Sequence, residues 1–183
     1  MGRLNAADGM ATPLANAEYR RMFETLGGKP VGSTLAFHWA RLVELLYAAE
    51  RALELSIDPG IIKTDLRNPV GEPGEGIGIV EAARGLLVHH YKLNMEGLVD
   101  KANLIVATTN NYADICMSVR DAAKGLIKNG KVNEGLLNMV EMAFRAYDPC
   151  HACATHALPG QMPLIVSLRD AQGNVLRELV RGE

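Results

Sequence analysis

Nine consecutive positions hold most of the reactive chemistry of this chain: Asp148-Pro149-Cys150-His151-Ala152-Cys153-Ala154-Thr155-His156. Two thiols three residues apart can close a chelate on one metal ion, form a redox dithiol, or be two of several ligands to a soft transition metal. A closed zinc site needs four protein ligands, commonly a second C-x-x-C or a histidine pair at fixed spacing, and the sequence offers neither. A thioredoxin-like dithiol would follow a strand and open a helix, whereas this one follows a helix pattern. Purely structural thiols are the remaining reading, since buried cysteine is common. His156 either ligates a metal or caps local backbone, and His151 between the cysteines reads as a surface residue. His89 and His90 close an apolar run, where a hydrogen-bonded core histidine is the commoner case. Cys116 lies in a helix pattern beside Met117 and reads as packing. Arg84, in Ala-Ala-Arg-Gly before an apolar strand, needs an acidic partner, and a core salt bridge is the plain reading.

These groups must be positioned by a chain of 183 residues, enough for one good core or for part of a larger domain. With 48% hydrophobic residues, 22% charged residues and a formal charge of -2, no electrostatic case exists for nucleic acid or an anionic membrane as partner. Three cysteines, two of them close together, suit a reducing compartment. The opening Met1-Gly2-Arg3-Leu4-Asn5 lacks the apolar core of a signal peptide, and no apolar run reaches the roughly 18 residues of a membrane span. A cytoplasmic protein is expected.

The elements follow from periodicity and punctuation. Residues 1–13 read as irregular chain, an abrupt start that suggests further protein upstream. Helices are expected over Leu14–Leu26, closed by Gly27-Gly28, and over Thr34–Leu55. Ser33 would cap the second and Leu35, Trp39, Leu42, Leu46, Ala49 and Leu53 form its apolar stripe. Trp39 and Tyr47 read as core or interface anchors. The glycine- and proline-rich stretch 56–76 is a loop. Its Gly74-Glu75-Gly76-Ile77-Gly78 lacks the spacing of a dinucleotide fingerprint and the Lys-Ser/Thr of a phosphate loop. Strand character from Ile77 to Val88 and from Asn103 to Thr109 predicts a hairpin over about 86–108. Asn110 and Asn111 would cap a helix over Tyr112–Ile127, and Asn133 one over Glu134–Ala146. Pro149 disfavours helix at Asp148 and leaves the cysteines in a loop. A second hairpin, Pro163–Leu168 and Val175–Val180, ends the chain. The expected class is α+β and mainly helical, with long core helices and one or two small hairpins.

Three segments in order carry a family resemblance. Asp148-Pro149-Cys150-x-x-Cys153-x-x-His156 is similar to the C-terminal motif of the large, catalytic subunit of nickel-iron hydrogenases. Glu81-Ala82-Ala83-Arg84-Gly85 with His89 resembles that family's Glu-Ala-Pro-Arg-Gly segment, and Leu104 to Asn111 its Leu-Val-Val-Pro-Thr-Thr-x-Asn strand end. The Ala154-Thr155 form looks most like the cytoplasmic, carrier-coupled members. The resemblance implies the large-subunit fold and a nickel-iron centre with cyanide and carbon monoxide on iron. Cys150 would be a terminal nickel ligand and Cys153 a nickel-iron bridge. Arg84 and Asp148 would be the catalytic groups above the metals, with Arg84 bonding one cyanide and Thr108 the other. His156, with the carbonyl of Leu104, would bind magnesium.

Ala83 and Ala107 stand where the family usually has proline, which alters the apolar lining and removes no ligand. The family's N-terminal Arg-x-Cys-x-x-Cys and its proton-relaying glutamate have no counterpart here. The resemblance therefore implies residues 1–156 as the C-terminal part of the subunit. Its partners would be the part carrying the other cysteine pair, an iron-sulfur small subunit, H2 and a maturation endopeptidase. Residues 157–183 would be an extension, cut between His156 and Ala157 or retained. A non-catalytic fragment or split-subunit interaction module, with the 34–55 helix as interface, is the second reading, and a zinc or redox dithiol protein the third.

Overall fold

The computed structural model describes residues 1–158 and 164–181. Its principal core is helical and lies at the start of the chain. Helices α1 (Gly2–Ala6), α2 (Pro13–Thr25) and α3 (Ala36–Ser56) bury Leu4, Tyr19, Met22, Phe23, Val31, Ala36, Ala40 and Val43 against one another. The helix α1 replaces the irregular start expected for residues 1–13. Leu4 is only 2% exposed, the side chain of Asn5 exchanges two hydrogen bonds with the backbone of Val31, and the Tyr19 hydroxyl donates to the Leu4 carbonyl. Tertiary packing thus holds a turn of helix too short to stand alone.

Pro13 opens α2, where its missing N–H costs nothing, and Gly27 and Gly28 close it at positive φ with Gly28 N–H on the Phe23 carbonyl. The free amides at the start of α2 are satisfied from outside. Glu50 of α3 accepts from Thr12 Oγ1, Leu14 N and Ala15 N at 2.6, 3.0 and 2.8 Å. Burial pushes the Glu50 carboxyl up, but these bonds from Thr12, Ala15 and Leu14 outweigh it and hold the pKa below its usual value.

Helix α3 starts two residues later than expected and has no side-chain cap. Its expected stripe is also rotated out of the core. Ala36, Ala40 and Val43 are buried, while Leu35, Leu42 and Leu53 are more than half exposed. The small side chains are what let α3 approach α2 closely. Trp39 packs on the margin of the core and donates to Glu18 Oε1 at 2.8 Å.

After a 3₁₀ turn at Pro59–Ile62, strands β1 (Glu75–Ala82), β2 (Gly85–Leu93) and β3 (Val99–Ile105) form an antiparallel sheet in sequence order. The single hairpin expected over 86–108 is therefore a three-stranded meander. Ala82 pairs with Gly85, so Ala83 and Arg84 form the two-residue turn, and Gly85 adopts φ 142°, a conformation glycine tolerates. The return strand stops at Ile105, not Thr109. Asn110 and Asn111 donate their side-chain amides to the carbonyls of Leu86 and Arg84, so the chain bends over the start of β2 as helix α4 (Ala107–Asn110). Tertiary hydrogen bonding overrides the strand propensity of Thr108-Thr109.

Helices α5 (Tyr112–Leu126) and α6 (Glu134–Arg145) pack together around Ile115, Leu137 and Val140. Asn133 caps α6 as expected, its Oδ1 accepting from Leu136 N at 2.9 Å. Asp148 then takes φ 51°, a left-handed turn that aspartate accepts more readily than most residues. A short helix α7 (His151–Thr155) follows, and β4 (Leu164–Arg169) pairs with β5 (Val175–Arg181). The second hairpin is present, with its expected first residue, Pro163, outside the described residues. Among the described residues no helix is long and apolar enough to cross a membrane.

Candidate metal centre

Cys150 is the N-cap residue of α7 and Cys153 lies one turn inside it, so the expected loop is a helix start. Pro149 disfavours helix only up to Asp148, and Ala152 and Ala154, the best helix formers, follow. The Cys150 amide donates to Thr108 Oγ1 at 3.1 Å, and the Cys150 carbonyl accepts from Ala154 N. The Cα atoms are 5.3 Å apart and the two sulfurs are paired as a disulfide, so both side chains reach one point. Reduction leaves two thiolates with the convergence a chelate needs. Half of a thioredoxin-like setting is present, the helix start, but the preceding element is helix α6 and not a strand.

Thr108 is 1% exposed. A hydroxyl can accept and donate at once, so accepting the Cys150 N–H leaves its proton for an acceptor in the site. Arg84 stands at the tip of the β1–β2 turn. Its Nε donates to the Asp148 carbonyl at 2.6 Å and lies 3.3 Å from Asp148 Oδ2. This is not the core salt bridge expected for Arg84, because the two side chains are 39% and 45% exposed. An ion pair so open contributes little stability, and its consequence is orientation. The segment that offers Asp148 is fixed from several sides. Arg41 of α3 donates to the Ala146 carbonyl, the Tyr147 hydroxyl lies 2.9 Å from Ser118 Oγ, and the Tyr147 ring meets Phe37 edge-on at 5.1 Å.

His151 is half-buried, its ring against Phe144 at 5.7 Å and Tyr112 at 6.4 Å, so it docks α7 on α5 and α6 and is not the surface residue expected. Cys116 is exposed on α5, not packed. His89 and His90 are half-buried on β2, within hydrogen-bond distance of the Tyr91 hydroxyl and Glu75 Oε1. The structure brings Cys150, Cys153 and Thr108 together and sets Arg84 against Asp148. His156 is exposed at φ 57° at the end of α7, and Leu104 pairs with His89 in the sheet. Among the described residues no group of three or more His, Cys, Asp or Glu side chains could hold a metal ion.

Two contributors had no sequence signal. Arg3 reaches the Arg84 turn from about 80 residues away in sequence, and Glu44 holds Arg3. Asn111 was readable as a helix cap, but its amide holds the Arg84 carbonyl at 2.7 Å instead.

Residues 11–156 match the family model described as nickel-dependent hydrogenase. The chain belongs to that family. It is 49% identical over 181 residues to an F420-non-reducing hydrogenase iron-sulfur subunit from Archaeoglobus profundus, covering 98% of this chain and 37% of that protein. It is 43% identical over 185 residues to the NAD-reducing hydrogenase HoxS subunit beta of Cupriavidus necator, covering 99% and 38%. A crystal structure of NAD+-reducing [NiFe]-hydrogenase in the H2-reduced state superposes with a TM-score of 0.76 at 39% identity, covering 84% of this chain and 34% of that one. The chain thus spans little more than a third of the relatives it matches. For a nickel-dependent family the donor set fits in part. Two soft thiolates one helical turn apart suit nickel, and a full thiolate shell needs donors beyond this chain's three cysteines.

Proposed function

We propose that this chain supplies part of the catalytic subunit of a nickel-iron hydrogenase performing reversible H2 oxidation. The observation that carries the reading is the convergence of Cys150 and Cys153 at the start of α7, with the Cys150 amide held by the buried Thr108 hydroxyl, in a chain of the nickel-dependent hydrogenase family. The bound metals would supply a Lewis-acid position at which dihydrogen is polarised. Cys150 would be a terminal nickel ligand and Cys153 the bridge to iron. With its oxygen accepting the Cys150 N–H, the Thr108 hydroxyl would give its proton to one cyanide on iron, and the terminal nitrogens of Arg84, unused in its Nε bond to Asp148, would donate to the other. Asp148, two residues before Cys150 in the chain, holds that guanidinium, and the pair would be the acid-base group that takes up a proton. His156 and the Leu104 carbonyl are the proposed magnesium ligands, completed by groups from outside the described residues.

The partners in this reading are a segment carrying a second cysteine pair and an iron-sulfur small subunit that takes the electrons, in the cytoplasm. The exposed Leu42, Leu45 and Leu53 on α3 support such a partner, because they are an apolar stripe that this chain leaves uncovered. The family match ends at His156, which supports residues 1–156 as the subunit's own part and 157–183 as an extension for a maturation endopeptidase to remove. The test is co-purification from the native source with metal analysis of Cys150→Ser, Cys153→Ser and Cys116→Ser. Nickel is expected to be lost from the first two and kept in the third. Equal nickel in all three refutes the assignment.

A further inference from the structure

The backbone around Arg84 is gripped to an unusual degree. The carbonyls of Ala82, Ala83, Arg84 and Leu86 each accept a side-chain hydrogen bond, the first two from Arg3, the others from Asn111 and Asn110. Arg3 comes from α1, whereas Asn110 and Asn111 stand at the end of α4, and the hold of Arg3 is set by a second residue. Its Nε and Nη2 both donate to Oε1 of Glu44, at 3.0 and 2.8 Å, which leaves Nη1 to reach Ala82 and Nη2 to reach Ala83 at 3.0 Å. Arg3 and Glu44 are 30% and 24% exposed and line, with Ala83 and Arg84, a cavity of about 490 Å³. The β1–β2 ladder closes the turn, but side-chain packing on β1 adds little to it, since Ile77, Ile79 and Val80 are all more than half exposed.

We propose that Arg3, locked by Glu44, is a positioning residue for Arg84, fixing the turn from which the Arg84 guanidinium reaches Asp148. The planar guanidinium suits this task because its rigid fork serves one carboxylate and two carbonyls together, where an ammonium would be a single point donor. The inference rests on the hydrogenase reading for its functional consequence and on the hydrogen bonds alone for its structural one.

The test uses the native complex carrying Arg3→Gln, Arg3→Lys or Glu44→Gln, alone and with Arg84→Lys. Arg3→Gln is expected to keep nickel and iron at parental levels, to speed amide exchange at residues 83–86 with the α2 and α3 amides unchanged, and to lower H2 oxidation by about tenfold to a hundredfold, as misplacement of a positioned group does. Glu44→Gln should show a smaller version of both effects, and Arg3→Lys should recover part of each. Added to Arg84→Lys, Arg3→Gln should cost no further rate, because it acts through the residue already altered. Unchanged exchange at 83–86, a full additional loss in the Arg84→Lys background, or loss of metal in Arg3→Gln and Glu44→Gln would each overturn the proposal. A parental complex without nickel and iron would refute the hydrogenase reading instead, and the exchange measurement would still decide whether Arg3 holds the turn.

Discussion

Replacing Thr108 by valine exchanges a buried hydroxyl for a methyl of nearly the same size and takes one acceptor away from the Cys150 amide. A buried donor left without a partner costs about 1–3 kcal/mol, and the added methyl returns part of that, about 0.8 kcal/mol at most. A net loss of about 0.2–2 kcal/mol corresponds to a fall in Tm of at most about 8 °C for a chain of this length. The local consequence is more diagnostic. Losing a bond of about 1–3 kcal/mol should speed exchange of the Cys150 amide about five- to 150-fold, read by hydrogen exchange with mass spectrometry or NMR. Thr108→Ser deletes a methyl but keeps the oxygen, so it should lower Tm while leaving that amide protected. Equal exchange at Cys150 in parent and Thr108→Val, or equal acceleration in the serine variant, would refute the claim that Thr108 fixes the start of α7.

Two further outcomes follow from groups away from the cysteines. The folded pKa of Glu50 is lowered from its usual 4.5, so its contribution to stability is fully present above that value and is lost as pH falls through the folded pKa. Glu50→Gln should therefore unfold at lower temperature near neutral pH and lose less Tm on acidification than the parent, measured by thermal melts across the acid range. Parallel Tm curves would show that Glu50 does not carry this dependence. Leu42→Ser combined with Leu45→Ser, at side chains 61% and 65% exposed, should change chain stability by no more than about 0.5 kcal/mol each and yet reduce recovery of the other hydrogenase segments in co-purification. Undiminished recovery would remove α3 as an interface.

The parts of the molecule legible in the sequence are those governed by local chemistry. Asn133 caps α6, Gly27-Gly28 end α2, and the second hairpin folds where its turn residues stand, because each depends on neighbours a few positions away. The same locality made Cys150 and Cys153 visible as a chelating pair. What the sequence concealed depends on distant partners. The leucines of α3 have helical spacing, but the buried face was decided by how closely α2 can approach, which favours Ala36 and Ala40. Thr108-Thr109 has strand propensity, but asparagine amides claim the carbonyls at the start of β2, and α4 forms instead. The turn of Ala83 and Arg84 looks ordinary until Arg3 is found against it.

The bond from Arg84 to residue 148 ends on a peptide oxygen at 2.6 Å, closer than the carboxylate at 3.3 Å. Every amino acid carries that oxygen, so the anchor does not depend on the identity of the side chain. It depends on the left-handed backbone at 148 that turns the carbonyl toward Arg84, a conformation open chiefly to Gly, Asn and Asp. Evolutionary freedom at this position is thus narrowed twice, by shape before charge, and a substitution to asparagine should spare the placement of Arg84 where one to valine or isoleucine would not.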